Sequence, residues 1–279
     1  MSEFYVNLGG VLCDFSKPTI MSIINITPDS FYEGSRVFCF EDMLNKIEED
    51  VENGALIFDI GGYSSRPNGV DVPVEEEIKR VCSAIGAIKT RFPDLVLSVD
   101  TFRSEVIKEV YKSFGAVIVN DITAGEFDDD IINVAAEYNL PYIAMHMRGT
   151  PQTMQSLCEY DDVVRDVIRY FVKRCEFLKN RGVEQLILDP GFGFAKDVKQ
   201  NFEMLNRFEE FQVFDLPLLV GISRKSMIYR TLDCTPSESL VGTVALNWQL
   251  LTKGANILRV HDVKAARDVV KLYEAMISL

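Results

Sequence analysis

Two carboxylates and one amide, those of Asp100, Asp189 and Asn120, each follow a short apolar run of the chain. If these runs converge, the three groups could accept hydrogen bonds from a heterocycle that presents several N–H donors along one edge. Asp and Asn are also good helix N-caps, and capping alone would explain one or two of the three. Three residues at equivalent positions favour a ligand-binding role.

Four basic side chains at comparable positions would form a positively charged site: Arg66, Lys225, Arg259 and His261. Arginine can grip a phosphate through two parallel hydrogen bonds, lysine supplies a compact charge and histidine a titratable donor. The chain has 29 basic and 42 acidic residues and a net charge of −13, so nucleic acid is not an expected partner. A basic cluster on an acidic body suits an anionic small molecule. With only two histidines, a His-based zinc site is not expected either.

Phosphate recognition has to use side chains and loops, because the glycine-rich phosphate motifs are missing from the sequence. Gly191-Phe192-Gly193 lacks the third glycine and the later acidic partner of a dinucleotide fingerprint, and no Walker A pattern occurs. The polar loop Asn25–Arg36 contains a Pro-Asp turn and is suited to a mobile lid. The loop Asp59–Gly69 carries Arg66 directly before a proline.

The elements that would position these residues recur about every 34 residues, which is the size of a βα unit. Each apolar run ends at a polar or ionisable residue and is followed by a helix-like stretch. The runs are Thr19–Ile24, Ala55–Phe58, Leu95–Val99, Val117–Val119, Tyr142–Met145, Leu186–Leu188, Leu218–Ile222 and Ile257–Val260. Eight parallel strands with polar C-terminal ends predict an α/β fold, a (β/α)8 TIM barrel whose active site lies at that face.

Helix signals fill the intervals between the runs. Asp161–Arg181 has a helical apolar stripe that ends at Gly182, and Pro73–Arg91 is a second helix. Thr235 with Pro236 and Glu238 reads as a capping box that opens a helix ending at Gly254. The 279 residues suit a single barrel domain over 18–279, and residues 1–17 form an N-terminal extension outside the repeat.

Membrane insertion and secretion are not expected from the sequence. The longest apolar runs are far shorter than the ~18 residues of a membrane span. Met1–Gly10 lacks the basic and apolar regions of a secretory signal. These features predict a cytoplasmic protein.

Eight segments in a fixed order resemble the dihydropteroate synthases. The resemblance covers the chain from about Ile20 to the C-terminus, and the ordered set is far more specific than any one segment. The segments are Asn25–Gly34, Asp59–Pro67, Ser98–Thr101, Val119–Ile122, Met145–Met147, Asp189–Phe194, Ser223–Ser226 and Arg259–His261.

The resemblance implies a transferase of alkyl or aryl groups other than methyl. That family joins 4-aminobenzoate to the methyl carbon of a 6-hydroxymethyl-7,8-dihydropterin diphosphate in folate biosynthesis, uses Mg²⁺, and is the target of sulfonamides. A dihydropterin can delocalise positive charge at its exocyclic methylene, so an SN1-like displacement needs mainly stabilisation of the leaving group. The family also implies a homodimer, formed through helices late in the barrel.

Residue roles carry over by motif as follows. The pterin ring would be held by Asp100, Asn120, Asp189 and Lys225, with Met145, Phe194 and Gly221 beside it. The diphosphate would be gripped by Asn25, Arg66, Arg259 and His261, with Asn25 also a ligand of Mg²⁺. The 4-aminobenzoate pocket would be formed by Phe31, Ser65, Pro67 and Ser226. The implied catalytic set is Asn25, Glu33, Arg66, Lys225, Arg259 and His261.

Three positions depart from the family pattern and bear on loop closure and inhibitor fit. Glu33 stands where Asp is common, Ser65-Arg66-Pro67-Asn68 replaces Thr-Arg-Pro-Gly, and Tyr63 replaces a frequent acidic residue. Two alternative functions stay open. One is a methyltransferase of the same superfamily acting between methyltetrahydrofolate and a corrinoid protein, which would not need the full diphosphate set. The other is a non-catalytic pterin-binding paralogue with a damaged lid.

Overall fold

The computed structural model describes residues 4–8, 10–26, 36–63 and 72–278, with the side chains of 36–39 outside the description. The chain begins with a small antiparallel hairpin formed by β1 (Tyr5–Leu8) and β2 (Val11–Asp14). Eight parallel strands follow: β3 (Thr19–Asn25), β4 (Ile57–Gly61), β5 (Val96–Asp100), β6 (Ile118–Asp121), β7 (Tyr142–Met145), β8 (Leu186–Asp189), β9 (Leu219–Val220) and β10 (Ile257–Val260).

These eight strands form the predicted barrel. Their hydrogen-bonded order is β8-β7-β6-β5-β4-β3-β10-β9, and a parallel bridge between Leu188 and Leu218 joins the two ends. All neighbouring strands pair in parallel, so their C-terminal ends meet at one rim. The (β/α)8 prediction is therefore confirmed, and the polar residues that follow the apolar runs lie around that rim.

Nine α-helices lie within the described residues and cover the outside of the barrel. They are α1 (Arg36–Glu52), α2 (Val74–Arg91), α3 (Ser104–Phe114), α4 (Asp130–Glu137), α5 (Val163–Asn180), α6 (Val198–Asn206), α7 (Ser226–Thr231), α8 (Leu240–Thr252) and α9 (Val263–Ile277). None of the helices in the described part of the chain is both long and apolar enough to cross a membrane.

Capping residues in the sequence predict the ends of α5 well but not the start of α8. The Asp162 carboxylate accepts a hydrogen bond from the backbone N–H of Arg165 and caps α5, and Gly182 follows the helix with φ +90°. The capping box at Thr235 does form, but the prediction of one continuous helix from it was wrong. It opens a 3-10 turn at Pro236–Glu238, and α8 begins only at Leu240. The Ser239 hydroxyl donates to the Pro236 carbonyl at 2.8 Å, which helps end the first turn.

The strand prediction also needed local correction. The run Leu218–Ile222 forms ladder pairs only at Leu219–Val220, because the chain turns away toward α7 immediately afterwards. Asp59 and Asn120 lie within β4 and β6 rather than after them. Both side chains are therefore buried, at a level below the last residue of each strand.

The floor of the barrel is an apolar layer to which every barrel strand contributes one side chain. The eight residues are Met21, Ile57, Val96, Ile118, Ile143, Ile187, Leu219 and Ile257. The hairpin packs Val6, Leu8, Cys13 and Phe15 against this layer. Burying each large apolar side chain contributes roughly 1.5–3 kcal/mol, so the hairpin seals the N-terminal end and leaves the opposite rim for a ligand.

Candidate active site

An arginine shared between two carboxylates occupies the centre of the rim. Arg259 on β10 donates through Nε to Asp59 Oδ2 at 2.6 Å and through Nη2 to Asp100 Oδ2 at 2.7 Å. Asp59 is fully buried, whereas the Arg259 side chain keeps a fifth of its surface exposed. Burial alone would lower the arginine pKa, but the attraction of Asp59 and Asp100 outweighs it and raises that pKa. The guanidinium therefore keeps its positive charge and is held in place by the two carboxylates.

Asn120 is tied to the same carboxylate. Its Nδ2 donates to Asp59 Oδ2 at 2.9 Å, and the residue is almost fully buried. With its N–H engaged by Asp59, the amide presents Oδ1 as an acceptor. Asp59 Oδ1 is buried and has no hydrogen-bond partner within the described residues. The structure therefore brings the predicted residues Asp100, Asn120 and Arg259 together around Asp59, which the sequence analysis did not select.

A tight turn after β8 builds the opposite wall. The backbone N–H of Gly191 donates to Asp189 Oδ1 at 2.8 Å and orients that carboxylate. A Cβ at Gly191 would lie 2.1 Å from the His146 carbonyl oxygen, so this position requires glycine. Lys225 donates from Nζ to the Phe192 carbonyl oxygen, and its Nζ lies 4.6 Å from the centre of the Phe194 ring.

Gly221 lies close to both cations of the pocket, Arg259 and Lys225. A Cβ built at this glycine would lie 3.9 Å from carbon atoms of Arg259 and 4.0 Å from Lys225 Nζ. A longer side chain here would therefore project into the space between the two cations. Gly221 was predicted to lie beside the pterin ring, and the structure puts it between Lys225 and Arg259.

Two ionisable groups of the pocket, Asp100 and Lys225, have pKa values shifted toward neutral pH. Burial raises the pKa of Asp100 to about 7, with Arg259 opposing the shift and Asp59 reinforcing it. Burial also raises the pKa of Asp189, against the pull of Lys225. Burial lowers the pKa of Lys225 to about 8, although Asp189 favours its charged form. The Asp100 carboxyl can therefore gain or lose acceptor capacity near neutral pH.

An apolar surface lies next to these polar groups. Ile122, Met145, Met147, Met154 and Ala195 form a buried cluster, and Phe102 and Phe194 pack on it while staying half-exposed. Methionines and aromatic rings suit a flat, polarisable heterocycle. Met145 and Phe194 are thus near one another, as the sequence analysis predicted for the two side chains beside the ring.

His261 follows β10 and is oriented by a serine. Ser223 Oγ accepts from the His261 backbone N–H at 3.2 Å and lies 3.0 Å from His261 Nδ1. If the Ser223 hydroxyl donates to Nδ1, a neutral His261 ring carries its proton on Nε2. Next to them, Arg224 has φ +56° and is held by a two-pronged ion pair with Asp262 at 3.0 and 2.6 Å.

The remaining predicted residues divide into two groups. Asn25, exposed at the end of β3, and Ser226, the first residue of α7, are both at the rim loops. Those outside the described residues are Phe31, Glu33, Ser65, Arg66 and Pro67. Their predicted roles in catalysis, diphosphate binding and the 4-aminobenzoate pocket stay predictions.

Sequence reasoning passed over two further polar residues of the rim, Asp59 and Lys196. Asp59 carried a usable signal, since it ends an apolar run just as Asp100 does. Lys196 carried none, because nothing in its sequence context separates it from a solvent-exposed lysine. It is 3% exposed and hydrogen-bonded to His146 Nδ1 at 3.0 Å.

The geometry defines a class of protein before any comparison is made. A closed (β/α)8 barrel with a pocket of acceptors and cations at its C-terminal rim is an enzyme scaffold for an anionic ligand with an N–H-rich heterocycle. The family model described as pterin binding enzyme matches residues 21–261.

Relatives and solved structures agree with that match. Dihydropteroate synthase from Escherichia coli (strain K12) is 44% identical over 271 residues, which is 96% of this chain and 95% of the relative. The enzyme from Bacillus subtilis (strain 168) is 37% identical over 94% of this chain and 90% of its own length. The structure of Yersinia pestis dihydropteroate synthase with a sulfonamide drug complex has a TM-score of 0.91 at 38% identity and covers 99% of this chain and 100% of that one.

A structure of the Xanthomonas albilineans synthase with 4-aminobenzoic acid has a TM-score of 0.90 at 33% identity and covers 99% of both chains. The chain therefore belongs to the pterin-binding enzymes and, within them, to the dihydropteroate synthases, which are transferases of folate biosynthesis. The two alternatives weighed from the sequence, a corrinoid-dependent methyltransferase and a non-catalytic paralogue, are not favoured by these relatives.

Proposed function

We propose that this chain condenses (7,8-dihydropterin-6-yl)methyl diphosphate with 4-aminobenzoate by an SN1-like displacement at the rim described above. The observation that carries the proposal is Arg259, which donates to Asp59 and Asp100 beside Asn120 and stands two residues before His261 at the end of β10. A substrate with a donor-rich ring at one end and an anion at the other would meet acceptors and cations in this one region.

The ring would be recognised by acceptors set at two walls of the pocket. Asp189, oriented by Gly191, and Asp100 supply carboxylates, and Asn120 supplies an amide oxygen. Met145 and Phe194 provide the apolar face. Buried ionised acceptors that meet N–H donors form strong hydrogen bonds, which would stabilise a ring that gains positive charge.

The leaving group would be stabilised by fixed cations and a donor. Arg259 keeps N–H groups beyond the two that bond Asp59 and Asp100, because a guanidinium has five. His261, with Nδ1 facing Ser223, would direct an Nε2–H donor at the departing oxygen atoms. The C–O bond would break first, and the neutral aniline nitrogen would then attack the methylene carbon and lose its proton to solvent or diphosphate.

Magnesium is the cofactor that the family implies, and the donor set at Asn25 fits it. Mg²⁺ prefers hard oxygen ligands and commonly takes one or two from the protein, with substrate phosphates and water as the rest. The Asn25 amide is such a ligand, and Gly61 leaves room for its Oδ1. No cluster of three acidic, His or Cys side chains that could hold a metal ion occurs in the described ranges. When bound, the ion would neutralise charge on the leaving group.

The 4-aminobenzoate pocket is predicted from four residues, of which Phe31, Ser65 and Pro67 lie outside the described residues. Of its predicted residues, Ser226 is described and stands directly after Lys225. A hydroxyl and a cation at adjacent positions suit the carboxylate of the second substrate. We expect sulfonamides, which resemble this substrate, to compete for the same pocket.

Turnover by the purified chain tests the proposed reaction. The chain is incubated with Mg²⁺, the dihydropterin diphosphate and 4-aminobenzoate, with 7,8-dihydropteroate followed by mass spectrometry and pyrophosphate by a coupled assay. We expect both products in equal amounts. Pterin binding without either product would contradict the catalytic proposal.

The order of bond breaking has its own test. A substrate labelled with ¹⁸O at the bridging oxygen is incubated with Mg²⁺ and the protein, with 4-aminobenzoate left out. Reversible C–O cleavage in the site would scramble the label among the diphosphate oxygens. Retention of the label, with turnover intact once the amine is added, would favour direct displacement.

A homodimer through α8 and α9 accompanies this proposal. The two helices pack together, with Trp248 edge-on to Tyr273, and they expose several large apolar side chains. These are Leu240, Val241, Leu272, Met276 and Ile277. Exposed apolar surface of this kind marks an interaction site. We expect Val241→Glu and Leu272→Glu to shift the chain to a monomer in sedimentation experiments, whereas Val172→Glu on the exposed face of α5 would not.

A cytoplasmic location is proposed with this function. The cysteines of the described residues, Cys13, Cys82, Cys158, Cys175 and Cys234, are free thiols. Free thiols suit a reducing compartment.

A further inference from the structure

A buried lysine next to the pocket has all its hydrogen-bonding capacity satisfied without a carboxylate. Lys196 lies between β8 and α6 and is 3% exposed. Its Nζ lies 3.0 Å from the Gly191 carbonyl oxygen, 2.9 Å from the Phe194 carbonyl oxygen and 3.0 Å from His146 Nδ1. An ammonium group has three N–H donors and no acceptor, so these contacts use each donor once.

The two carbonyl groups belong to the turn that builds one wall of the pocket. Gly191 N–H orients Asp189, the Phe192 carbonyl accepts from Lys225, and the Phe194 ring lies against the same lysine. The turn contains left-handed backbone at Gly191, Gly193 and Ala195, with φ of +73°, +81° and +49°. Such a backbone, with a non-glycine residue at Ala195, persists only where its surroundings hold it.

His146 completes the arrangement from the end of β7. Its backbone N–H donates to the Asp189 carbonyl at 3.0 Å, and its carbonyl oxygen lies against Gly191. Burial lowers the pKa of Lys196 to about 7, so the ammonium form belongs to pH values below about 7. In that form Nζ can only donate, so Nδ1 accepts and the neutral imidazole carries its proton on Nε2. Burial, together with the charges of Lys196 and Arg148, lowers the pKa of His146 well below its usual value, which agrees with that state.

We propose that Lys196 is a positioning residue for the pterin pocket. Its buried ammonium and the neutral His146 acceptor together hold the Gly191–Phe194 turn. In this shape, the turn aims Asp189, Lys225 and Phe194 at the ring. This role rests on the proposed pterin site and deepens it. Lys196 does not touch the substrate. It acts through the turn, at the level where a misplacement of about 1 Å can cost about 100-fold in activity.

The test compares Lys196→Met with a matched lysine elsewhere. Methionine has a similar length and removes all three donors. Lys253 is the control, because its Nζ also bonds a backbone carbonyl, that of Asn206 at 2.7 Å, but far from the rim. We expect Lys196→Met to raise the Kd for the dihydropterin diphosphate about 10- to 100-fold, with the Michaelis constant for the aminobenzoate substrate at saturating pterin much less affected. Lys253→Met should leave both constants unchanged.

The two histidines of the chain provide a spectroscopic readout that does not depend on catalysis. With ¹⁵N-labelled histidine, the wild-type protein below about pH 7 should show one ring, His146, as the neutral Nε2–H form, because Lys196 is then an ammonium. Lys196→Met should shift the Nδ1 resonance of His146 and spare His261. Detection of an Nδ1–H tautomer or an imidazolium at His146 in the wild-type protein at such a pH would overturn the proposal, whatever the enzyme's activity.

A second pair of variants covers the case in which Lys196→Met does not fold. His146→Gln keeps an acceptor for the ammonium, and His146→Leu removes it. We expect His146→Gln to bind the pterin more tightly than His146→Leu by about tenfold, in line with the penalty for a buried donor left unpaired. Equal pterin affinity in the two variants, or a folded Lys196→Met with normal pterin affinity, would overturn the proposal. Failure of the wild-type protein to bind any pterin would instead contradict the proposed function.

Discussion

Arg259 Nη2 lies 2.6 Å from the carboxylate of Asp59, which is fully buried at the middle of β4. The Asp59 carboxylate has no exposed surface and pairs with Arg259, so its proposed effect on chemistry runs through the guanidinium. It fixes one edge of Arg259, and the outer edge would face the proposed diphosphate. The arginine is therefore aimed before the substrate arrives, which is the condition for electrostatic stabilisation of a leaving group.

Asp59→Asn should weaken this arrangement without opening a cavity. The isosteric amide loses the charge that pairs with Arg259, and removing one partner of a buried charge pair costs about 2–5 kcal/mol. We expect kcat/KM for the dihydropterin diphosphate to fall by a factor that corresponds to this range. Asp162→Ala, which removes the α5 cap and the Arg207 ion pair, serves as the control for stability loss far from the rim.

Asp189→Asn should abolish most turnover in a folded protein. The carboxylate is buried, accepts from Gly191 and would face the ring, and an amide would turn an acceptor into a donor. Steady-state kinetics with a thermal-melting check of folding measure the effect. Near-normal kcat/KM would remove Asp189 from the site.

Arg259→Ala should have an effect as large as that of Asp189→Asn, but of a different kind. The loss of the guanidinium leaves Asp59 and Asp100 as two uncompensated neighbouring carboxyls, and it removes the cation next to the leaving group. Because Arg259 also lowers the pKa of Asp100, the comparison is made well above pH 7, where we expect a much smaller loss of affinity for a pterin that lacks the diphosphate than the collapse of kcat for the full substrate. Equal losses for both ligands would place Arg259 in ring binding instead.

Pterin binding should depend on pH through Asp100. The pKa of Asp100 is raised to about 7, first by burial and then by Asp59, Glu77 and Asp121, with Arg259 opposing. An acid is protonated below its pKa, so the carboxylate acceptor is lost as the pH falls below about 7. Affinity for an unphosphorylated pterin, measured by calorimetry, should therefore decrease from pH 8 to about pH 6, the window set by that pKa. In Asp100→Asn the affinity should be lower and should lack this decrease.

Ser223→Ala should remove the contact that fixes the orientation of the His261 imidazole ring. The variant loses the hydroxyl that accepts from the His261 backbone and faces Nδ1. A neutral hydrogen bond is worth about 1 kcal/mol, so we expect kcat to fall roughly fivefold. ¹⁵N spectra should show a mixture of tautomers at His261 and an unchanged His146. A drop in kcat with the His261 tautomer unchanged would mean that Ser223 acts in another way.

Removal of Mg²⁺ should affect the diphosphate end of the substrate but not the binding of the pterin end. Chelation is expected to stop turnover but to leave binding of an unphosphorylated pterin intact, because the ion is proposed to act on the diphosphate with Asn25 as its predicted ligand. Asn25→Ala should raise the Mg²⁺ concentration that gives half-maximal rate. An unchanged Mg²⁺ dependence in this variant would exclude Asn25 as a ligand.

Most of the rim could be predicted because parallel strands bring their C-terminal ends together. That rule alone places Asp100, Asp189 and His261 near each other, and the structure agrees. The rule could not predict how deeply a side chain is buried. Strand β4 continues for two residues past Asp59, and the Asp59 carboxylate is buried against Arg259. Nor could the rule find Lys196. The sequence shows neither the left-handed turn that precedes this lysine nor its contact with the ring nitrogen of His146, which follows a different strand.

The structure of the chain with Mg²⁺ and a non-hydrolysable dihydropterin diphosphate analogue tests the central claim most directly. The account predicts the ring within hydrogen-bonding distance of Asp100, Asn120 and Asp189, and the diphosphate against the outer edge of Arg259 and His261. A ring bound outside this pocket, or a diphosphate held away from Arg259, would contradict it.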